Sequence, residues 1–198
     1  MKYINKIIKL SEKTNKKIEV SGVDELENIK DDMKEKMGMP IGLHTFGAPL
    51  IISMVLTVIS FSLPQFSFWL FIYDLMGWEQ HAVFIGIIAA AFIYVLVLFT
   101  TMMMVSRGIY LALRAYILIL ILALITALFF LLITMISSIS GNNNYSLSFT
   151  GALLSIGLSL IALKCLNSEM FYKSYAFILH NRAWRKQLDL QRKTTAFR

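Results

Sequence analysis

Apolar residues follow a helical period near both ends of the chain and run almost without interruption through its middle. Between Gly38 and Lys164 the only lysine or arginine residues are Arg107 and Arg114. A hydrocarbon core of about 30 Å requires about 20 helical residues to cross it. The apolar stretches therefore predict four transmembrane helices, at about residues 46–66, 81–105, 110–138 and 147–165.

The first apolar stretch is longer than one crossing requires, because it continues past Pro64 to Trp78. Proline removes one helical hydrogen bond and crowds the preceding turn. Residues 66–78 therefore either extend the first helix beyond a kink or turn along the membrane interface. Their aromatic side chains are typical of the belt at a membrane–water boundary, which we expect at the outer leaflet. The belt residues are Trp69, Tyr73 and Trp78.

Residues 1–43 form a polar N-terminal region, in which the sequence predicts two amphipathic helices. In the first, residues 3–10 place Ile4, Ile7 and Ile8 on one face and lysines elsewhere. A short basic helix of this kind either lies on an anionic membrane surface or packs on protein. The sequence leaves both alternatives open.

The second amphipathic helix is predicted over Val23–Met37, where apolar residues recur at steps of three and four. Ser21 is the expected N-cap and Gly38 the expected C-cap. This helix has six acidic and three basic side chains. We expect it to stand off anionic lipid and to dock on the basic tail of the same chain or on a partner.

Residues 167–198 form this basic tail, which is predicted to be a cytoplasmic helix that continues from the fourth span. Basic side chains alternate there with large aromatic ones. The pattern favours contact with anionic lipid headgroups or a cytosolic protein partner, because the tail begins where a membrane helix ends. Nucleic acid is not an expected partner, since no recognised binding module accompanies the charge. The expected contact residues are Arg182, Trp184, Arg185, Lys186, Arg192 and Lys193.

Composition supports this organisation, because the chain is 57% hydrophobic although its formal net charge is +7. Soluble domains are typically about 45–50% apolar. The predicted fold class is all-α membrane. Residues 44–166 are expected to form a four-transmembrane-helix bundle, with a small cytoplasmic layer made of the N-terminal and C-terminal amphipathic helices.

The distribution of basic residues predicts the orientation. Lysine and arginine occur in the N-terminal region, between the second and third spans, and in the tail, whereas Asp74–His81 and Gly141–Tyr145 have none. Cytoplasmic loops carry the excess of basic residues. We therefore expect a multi-pass protein of a bacterial inner membrane, with both termini in the cytoplasm.

Side chains that commonly catalyse reactions or bind metal ions are few in this sequence. By this topology His44, His81 and His180 fall in separate regions, so they cannot bind one metal ion within one chain. The single cysteine, Cys165, excludes an internal disulfide and is interpreted as a small hydrophobic residue. We expect no catalytic residue, no metal site and no cofactor.

Small residues form stripes in two spans. Gly151, Ser155 and Ser159 recur at four-residue steps in the fourth span, and Gly86 and Ala90 do so in the second. Such stripes let two helix backbones approach closely in lipid. They predict either packing within the bundle or the subunit interface of a homo-oligomer.

The leading functional hypothesis is a small, non-enzymatic, oligomeric subunit of sensor, scaffold or effector type that couples the bilayer to a cytosolic partner. Bacterial defence systems and secretion or conjugation machines use subunits of this kind. An oligomeric channel or pore-forming effector is the alternative, and it would need a polar face on a span. Candidates for that face are Thr100, Thr101, Thr126 and Ser155. A membrane-embedded lipid-modifying enzyme is disfavoured, because no acids, bases or metal ligands converge at one depth.

Overall fold

The computed structural model describes residues 2–38, 47–77, 81–139 and 146–196. All regular structure in these ranges is helical, and they contain no strand. The helices are α1 (Lys2–Val20), α2 (Val23–Met37), α3 (Ala48–Ser62), α4 (Gln65–Met76), α5 (His81–Ser106), α6 (Tyr110–Ile139), α7 (Ser146–Leu166) and α8 (Glu169–Ala196). The predicted all-α fold class is confirmed.

Four helical segments are long and apolar enough to cross a membrane, as in a multi-pass membrane protein. They are Ala48–Tyr73, Val83–Ser106, Tyr110–Ile136 and Phe149–Leu166. Helices α5, α6 and α7 agree with the predicted second, third and fourth spans to within one residue at each end. A helix satisfies its backbone groups internally, as the hydrocarbon region of a bilayer requires.

The first span is longer than predicted, because helical structure resumes after Pro64. Helix α3 ends at Ser62 and α4 begins at Gln65. Pro64 has no N–H to donate, but its carbonyl accepts the Phe68 N–H at 3.0 Å and so starts the next helix. Of the two alternatives for residues 66–78, the structure shows the helix extending beyond a break, as far as Met76. The predicted end of the first span at residue 66 is therefore wrong, because the span continues to Tyr73. Trp78 lies outside the described residues.

The chain divides into two compact units. The first comprises Met1–Ile51, Thr101–Tyr116 and Cys165–Arg198, and the second comprises Ile52–Thr100 and Ile117–Lys164. Every lysine and arginine of the sequence except Lys164 belongs to the first unit. Within that unit, we call α1, α2, α8 and the connection between α5 and α6 the head.

The second unit buries small hydroxyl side chains and exposes bulky apolar ones, which in a membrane contact acyl chains. Its most exposed side chains include Ile88, Phe92 and Ile136. Inside, the Ser60 hydroxyl of α3 lies 3.0 Å from Ser155 Oγ and 2.6 Å from Ser159 Oγ of α7. In return, Ser155 Oγ donates to the Ser60 carbonyl at 2.7 Å. A Cβ atom at Gly151, on the same stripe, would lie 3.8 Å from the Leu63 carbonyl oxygen. The structure therefore places this stripe against α3 of the same chain.

Gly86 makes room for an aromatic ring from α4. A Cβ atom at Gly86 would lie 2.5 Å from the Trp69 indole. The indole Nε1 donates to Gln65 Oε1 at 3.0 Å, which fixes the ring on its own helix. Trp69 and Tyr73 of the predicted belt are half-buried, as is Ala90, one turn along from Gly86. In the second predicted stripe, Gly86 therefore packs against the Trp69 indole of the same chain.

We expect Gly86→Ala to lower the stability of the detergent-solubilised protein by about 1–3 kcal/mol, the usual cost of an extra methyl group in a packed site. Gly157→Ala is the matched control, because a Cβ atom there meets nothing within 4 Å and alanine favours a helix. Thermal unfolding measures both variants. Equal stabilities would show that the indole does not occupy this position.

Candidate functional site

Helix α8 carries a buried stripe along most of its length. Phe171, Tyr175, Leu179 and Ala183 follow at steps of four residues, and each is at most 1% exposed. Side chains at this spacing lie on one face of a helix. Helices α1 and α2 both pack on α8 and contact each other much less, so α8 is the central helix of the head.

The sequence predicts a tail helix that is continuous with the fourth span, but the structure begins a new helix at Glu169, directly after Ser168. The Ser168 hydroxyl accepts the Phe171 N–H at 3.1 Å, as an N-cap does. Next to it, Asn167 Oδ1 accepts the N–H groups of Tyr3 and Ile4 at 3.0 and 3.2 Å. First-turn donors such as these have no partner within their own helix. The break therefore fixes the start of α1 beside the start of α8.

The apolar face of α1 is buried on protein. Ile4, Ile7 and Ile18 are buried, and Ser11 on the same face has its Oγ 2.7 Å from the Tyr175 hydroxyl oxygen. Of the two alternatives for this helix, packing on protein is the one in the structure. The protein surface that it covers belongs to α8 of the same chain.

The acidic helix α2 packs on the basic tail helix mainly through apolar side chains. Its buried residues are Leu26, Ile29 and Met33. Gln187 Nε2 of α8 donates to Glu27 Oε2 at 2.8 Å. Glu27 also pairs with Lys30 of its own helix at 2.7 Å. Lys30 and Gln187 together hold the pKa of the Glu27 carboxyl below its ordinary value. Apolar burial, more than opposite charge, therefore holds α2 on α8.

The predicted limits of α2 are correct, but its predicted N-cap is wrong. The helix spans Val23–Met37, and the expected C-cap, Gly38, has a φ of +71°, a conformation that favours glycine. The N-cap is Gly22 and not Ser21. The Ser21 N–H still donates to the Lys17 carbonyl at 3.0 Å, so Ser21 belongs to the end of α1.

A cleft of about 710 Å³ opens between α1 and α2. Leu10, Val20 and Ile29 contribute apolar surface, and Val20 is 89% exposed. Basic side chains outnumber acidic ones around the cleft. Its charged residues are Lys13, Lys16, Lys17, Lys36, Glu25 and Asp32. Lys13 and Lys17 have no ion-pair partner within the described part of the chain. An apolar surface with a charged rim is the usual anatomy of a protein-docking site.

Basic residues predicted to contact lipid or a partner bind backbone carbonyls of the chain itself. Arg182 Nη1 donates to the Gly108 carbonyl at 2.7 Å, and Lys186 Nζ donates to the Glu19 carbonyl at 2.6 Å. Arg185 makes a longer contact, 3.4 Å, with the carbonyl of the residue before Gly108. These carbonyls lie at the C-terminal ends of α5 and α1, where the helix dipole favours a cation. The three side chains therefore cap the C-terminal ends of α5 and α1.

Gly108 allows this close approach. Its φ is +80°, and a Cβ atom there would lie 3.3 Å from Arg182 Cδ and from Ile178 Cγ2. Arg182 also lies 3.5 Å from Glu19 Oε1, so it joins the α5–α6 connection to the end of α1. Local sequence patterns carry no signal for contacts between residues so far apart in the chain. Sequence reasoning therefore missed this capping role.

The other predicted contact residues of the tail are exposed. Trp184 is 50% exposed, and Arg192 and Lys193 are also exposed. Lys193 lines a small basic pocket together with Arg182, Arg185 and Lys186, whereas Arg192 and Trp184 do not. The structure therefore brings four of the six residues together.

The described residues include no group of three or more histidine, cysteine, aspartate or glutamate residues that could hold a metal ion. His180 Nδ1 lies 3.4 Å from Asn181 Oδ1, and Cys165 is a half-buried free thiol. His44 and the side chain of His81 lie outside the described residues.

The residues named for a channel do not share one exposed face. Ser155 and Thr101 are buried. The hydroxyl of Thr100 donates to the Leu96 carbonyl at 2.9 Å, and that of Thr126 donates to the Ala123 carbonyl at 2.8 Å. Such bonds within one helix leave little polar surface for a pore lining.

Burial raises the pKa of the Tyr175 hydroxyl from 10.0 to about 12, although the Ser11 hydrogen bond and the charge of Arg182 act in the opposite direction. The folded state therefore holds this proton more tightly than the unfolded state does. Its contribution to stability is complete below pH 10 and is lost as the pH rises through 12.

We expect the free energy of unfolding of the wild type to fall by about 2 kcal/mol more than that of Tyr175→Phe between pH 10 and pH 12. At neutral pH the phenylalanine variant should lose about 1 kcal/mol for the missing hydrogen bond. Ser11→Ala is the control, because it removes that bond and keeps the ionisable group. Denaturant unfolding at several pH values measures all three proteins. Parallel pH curves for the wild type and Tyr175→Phe would contradict burial of the phenol.

No protein-family model matches the chain, and no curated protein sequence or solved structure is significantly similar to it. What the protein does must therefore be inferred from the contacts and charges of its own side chains.

Proposed function

We propose that this protein is a non-enzymatic subunit of a membrane complex, which forms a homo-oligomer in a bacterial inner membrane and couples the bilayer to a cytosolic protein. The observation that carries this proposal is the open cleft between α1 and α2 on the head. Only two residues separate α8, on which both helices pack, from the last membrane-spanning helix. A protein bound in the cleft is thereby connected to the membrane through a short, direct path.

The proposed occupant of the cleft is an acidic amphipathic segment of the cytosolic partner. Lys13 and Lys17 offer it unpaired positive charge, and the exposed side chain of Val20 offers apolar surface. Complementary charge steers association, while buried apolar anchors supply most of the affinity. A sensor, a scaffold or an effector of a defence or secretion system would each use such a surface.

The proposed orientation places the head in the cytoplasm. Its support is the concentration of basic residues in the first unit, since basic segments are retained on the cytoplasmic side. This orientation makes the cleft accessible to cytosolic proteins.

The first test is site-specific photo-crosslinking in the native membrane. We expect a photoreactive residue at Val20 to form an adduct with one cytosolic protein, and the same residue at Asn5, which is exposed on α1 away from the cleft, to form none. Purification of the complex in mild detergent then reports the copy number. Equal adducts at both positions, or none at either, would reject the cleft as the docking surface.

Charge-reversal variants distinguish binding of the partner in the cleft from a general attraction to the positive charge of α1. Lys13→Glu/Lys17→Glu changes the cleft, whereas Lys2→Glu/Lys9→Glu makes the same change of charge at exposed positions that do not line it. We expect the first pair to lower recovery of the crosslinked partner by about tenfold or more, as loss of two charged contacts does. The control pair should leave recovery unchanged. Equal losses would indicate that the partner responds only to net charge.

A further inference from the structure

A second pocket of about 370 Å³ concentrates positive charge where α8 meets the α5–α6 connection. Five basic side chains and one acidic side chain line it. They are Arg107, Arg182, Arg185, Lys186, Lys193 and Asp189. Such a density of cations is costly in an isolated protein, because like charges repel one another. A bound anion would relieve that cost.

The position of this pocket along the chain points to the depth of lipid headgroups. Arg107 is the residue directly after Ser106, at which the second membrane-spanning segment ends. The Arg182 and Arg185 guanidinium groups are held at 2.7 and 3.4 Å from the carbonyls of Gly108 and Arg107. The cations therefore stand within a few residues of the end of a membrane helix, which is where headgroup phosphates lie.

The charges in the pocket are only partly neutralised by the chain itself. Arg182 Nη2 forms an ion pair with Glu19 Oε1 at 3.5 Å. Arg185 and Lys186 bond to backbone carbonyls, which satisfy donors without cancelling the charge. No carboxylate forms an ion pair with Arg107, Arg185 or Lys193 in the described part of the chain. Guanidinium groups retain further N–H donors in a planar arrangement that matches phosphate oxygens.

We propose that this pocket binds the phosphate of an anionic phospholipid headgroup. A lipid is preferred to a free phosphate because the pocket adjoins the end of a membrane helix. The neighbouring indole of Trp184 is half-exposed on α8, as expected of a tryptophan at a membrane interface. Lys186 and Arg182 position the pocket by capping helices, and Arg107, Arg185 and Lys193 contact the phosphate. This site goes beyond the docking cleft and does not depend on it.

The test uses the full-length protein in a neutral detergent, titrated with phosphatidylglycerol and followed by native mass spectrometry. Arg107→Gln/Lys193→Gln removes two pocket charges. Neither change removes a described contact that holds the fold, since Arg107 contacts α8 through its backbone carbonyl and Lys193 is exposed. Each basic residue near an anionic headgroup contributes about a fivefold increase in affinity, so we expect the dissociation constant to rise at least about tenfold.

Lys9→Gln/Arg192→Gln is the matched control, because it removes two exposed charges that do not line the pocket. We expect this pair to keep the wild-type affinity, and neither pair to lower the melting temperature without lipid. If both pairs weakened phosphatidylglycerol binding equally, the lipid would be responding to general surface charge, and the proposed site would be rejected.

Two further ligands identify the source of the phosphate. Phosphatidylcholine should bind more weakly than phosphatidylglycerol, because its choline cation is repelled by the pocket. Inorganic phosphate at the same concentration should not displace the lipid. Equal binding of phosphatidylcholine would contradict recognition of an anionic headgroup. Displacement by inorganic phosphate would show that the pocket takes a soluble anion.

Discussion

The hydrocarbon core of a bilayer admits almost no charge, and this constraint divides the molecule. Every lysine and arginine except Lys164 belongs to the first unit. The buried polar groups described in the second unit are uncharged, such as the hydroxyls of Ser60, Ser155 and Ser159. Since the hydrophobic effect does not drive helices together in lipid, hydroxyl contacts and close packing of small residues hold these spans. All but one of the basic residues that could bind an anionic partner therefore belong to the first unit.

Within the head, most contacts converge on α8. Its buried stripe receives the apolar faces of α1 and α2, and three of its basic residues cap the ends of α1 and α5. Asn167, just before α8, also fixes the start of α1, while Ser168 caps α8 itself. The proposed cleft and the proposed phosphate pocket both involve elements that contact this one helix. A ligand in either place would therefore act on the helix that follows the last span.

Much of the fold could be predicted because its signals are local. Long apolar runs predict the spans, and apolar steps of three and four predict Val23–Met37 correctly. Two predictions, the N-cap of α2 and a continuous tail helix, were wrong because each depends on one or two residues whose hydrogen bonds neighbouring residues can change. The Ser21 N–H is taken up by the last turn of α1, which leaves Gly22 as the N-cap. Ser168 forms a cap of its own, which interrupts the tail helix that hydropathy alone would continue.

The candidate sites could be predicted only in part, because they depend on contacts between distant parts of the chain. Basic residues of the tail were identified as contact residues, but the addition of Arg107 to them follows from the packing of α8 on the α5–α6 connection. The cleft arises because α1 and α2 lie on the same helix with little contact between them. Periodicity shows which face of a helix is apolar and does not show which partner covers it.

The proposed function requires that the head lie in the cytoplasm, and cysteine labelling in intact cells tests this most directly. In a Cys165→Ala background, single cysteines replace Asn143, Ser106 and Thr195 in turn. The positive-inside rule predicts that a membrane-impermeant maleimide labels Asn143→Cys in intact cells, and labels Ser106→Cys and Thr195→Cys only after the membrane is permeabilised. The reverse pattern, with Asn143→Cys protected and Thr195→Cys labelled in intact cells, would contradict a cytoplasmic head and with it the proposed function.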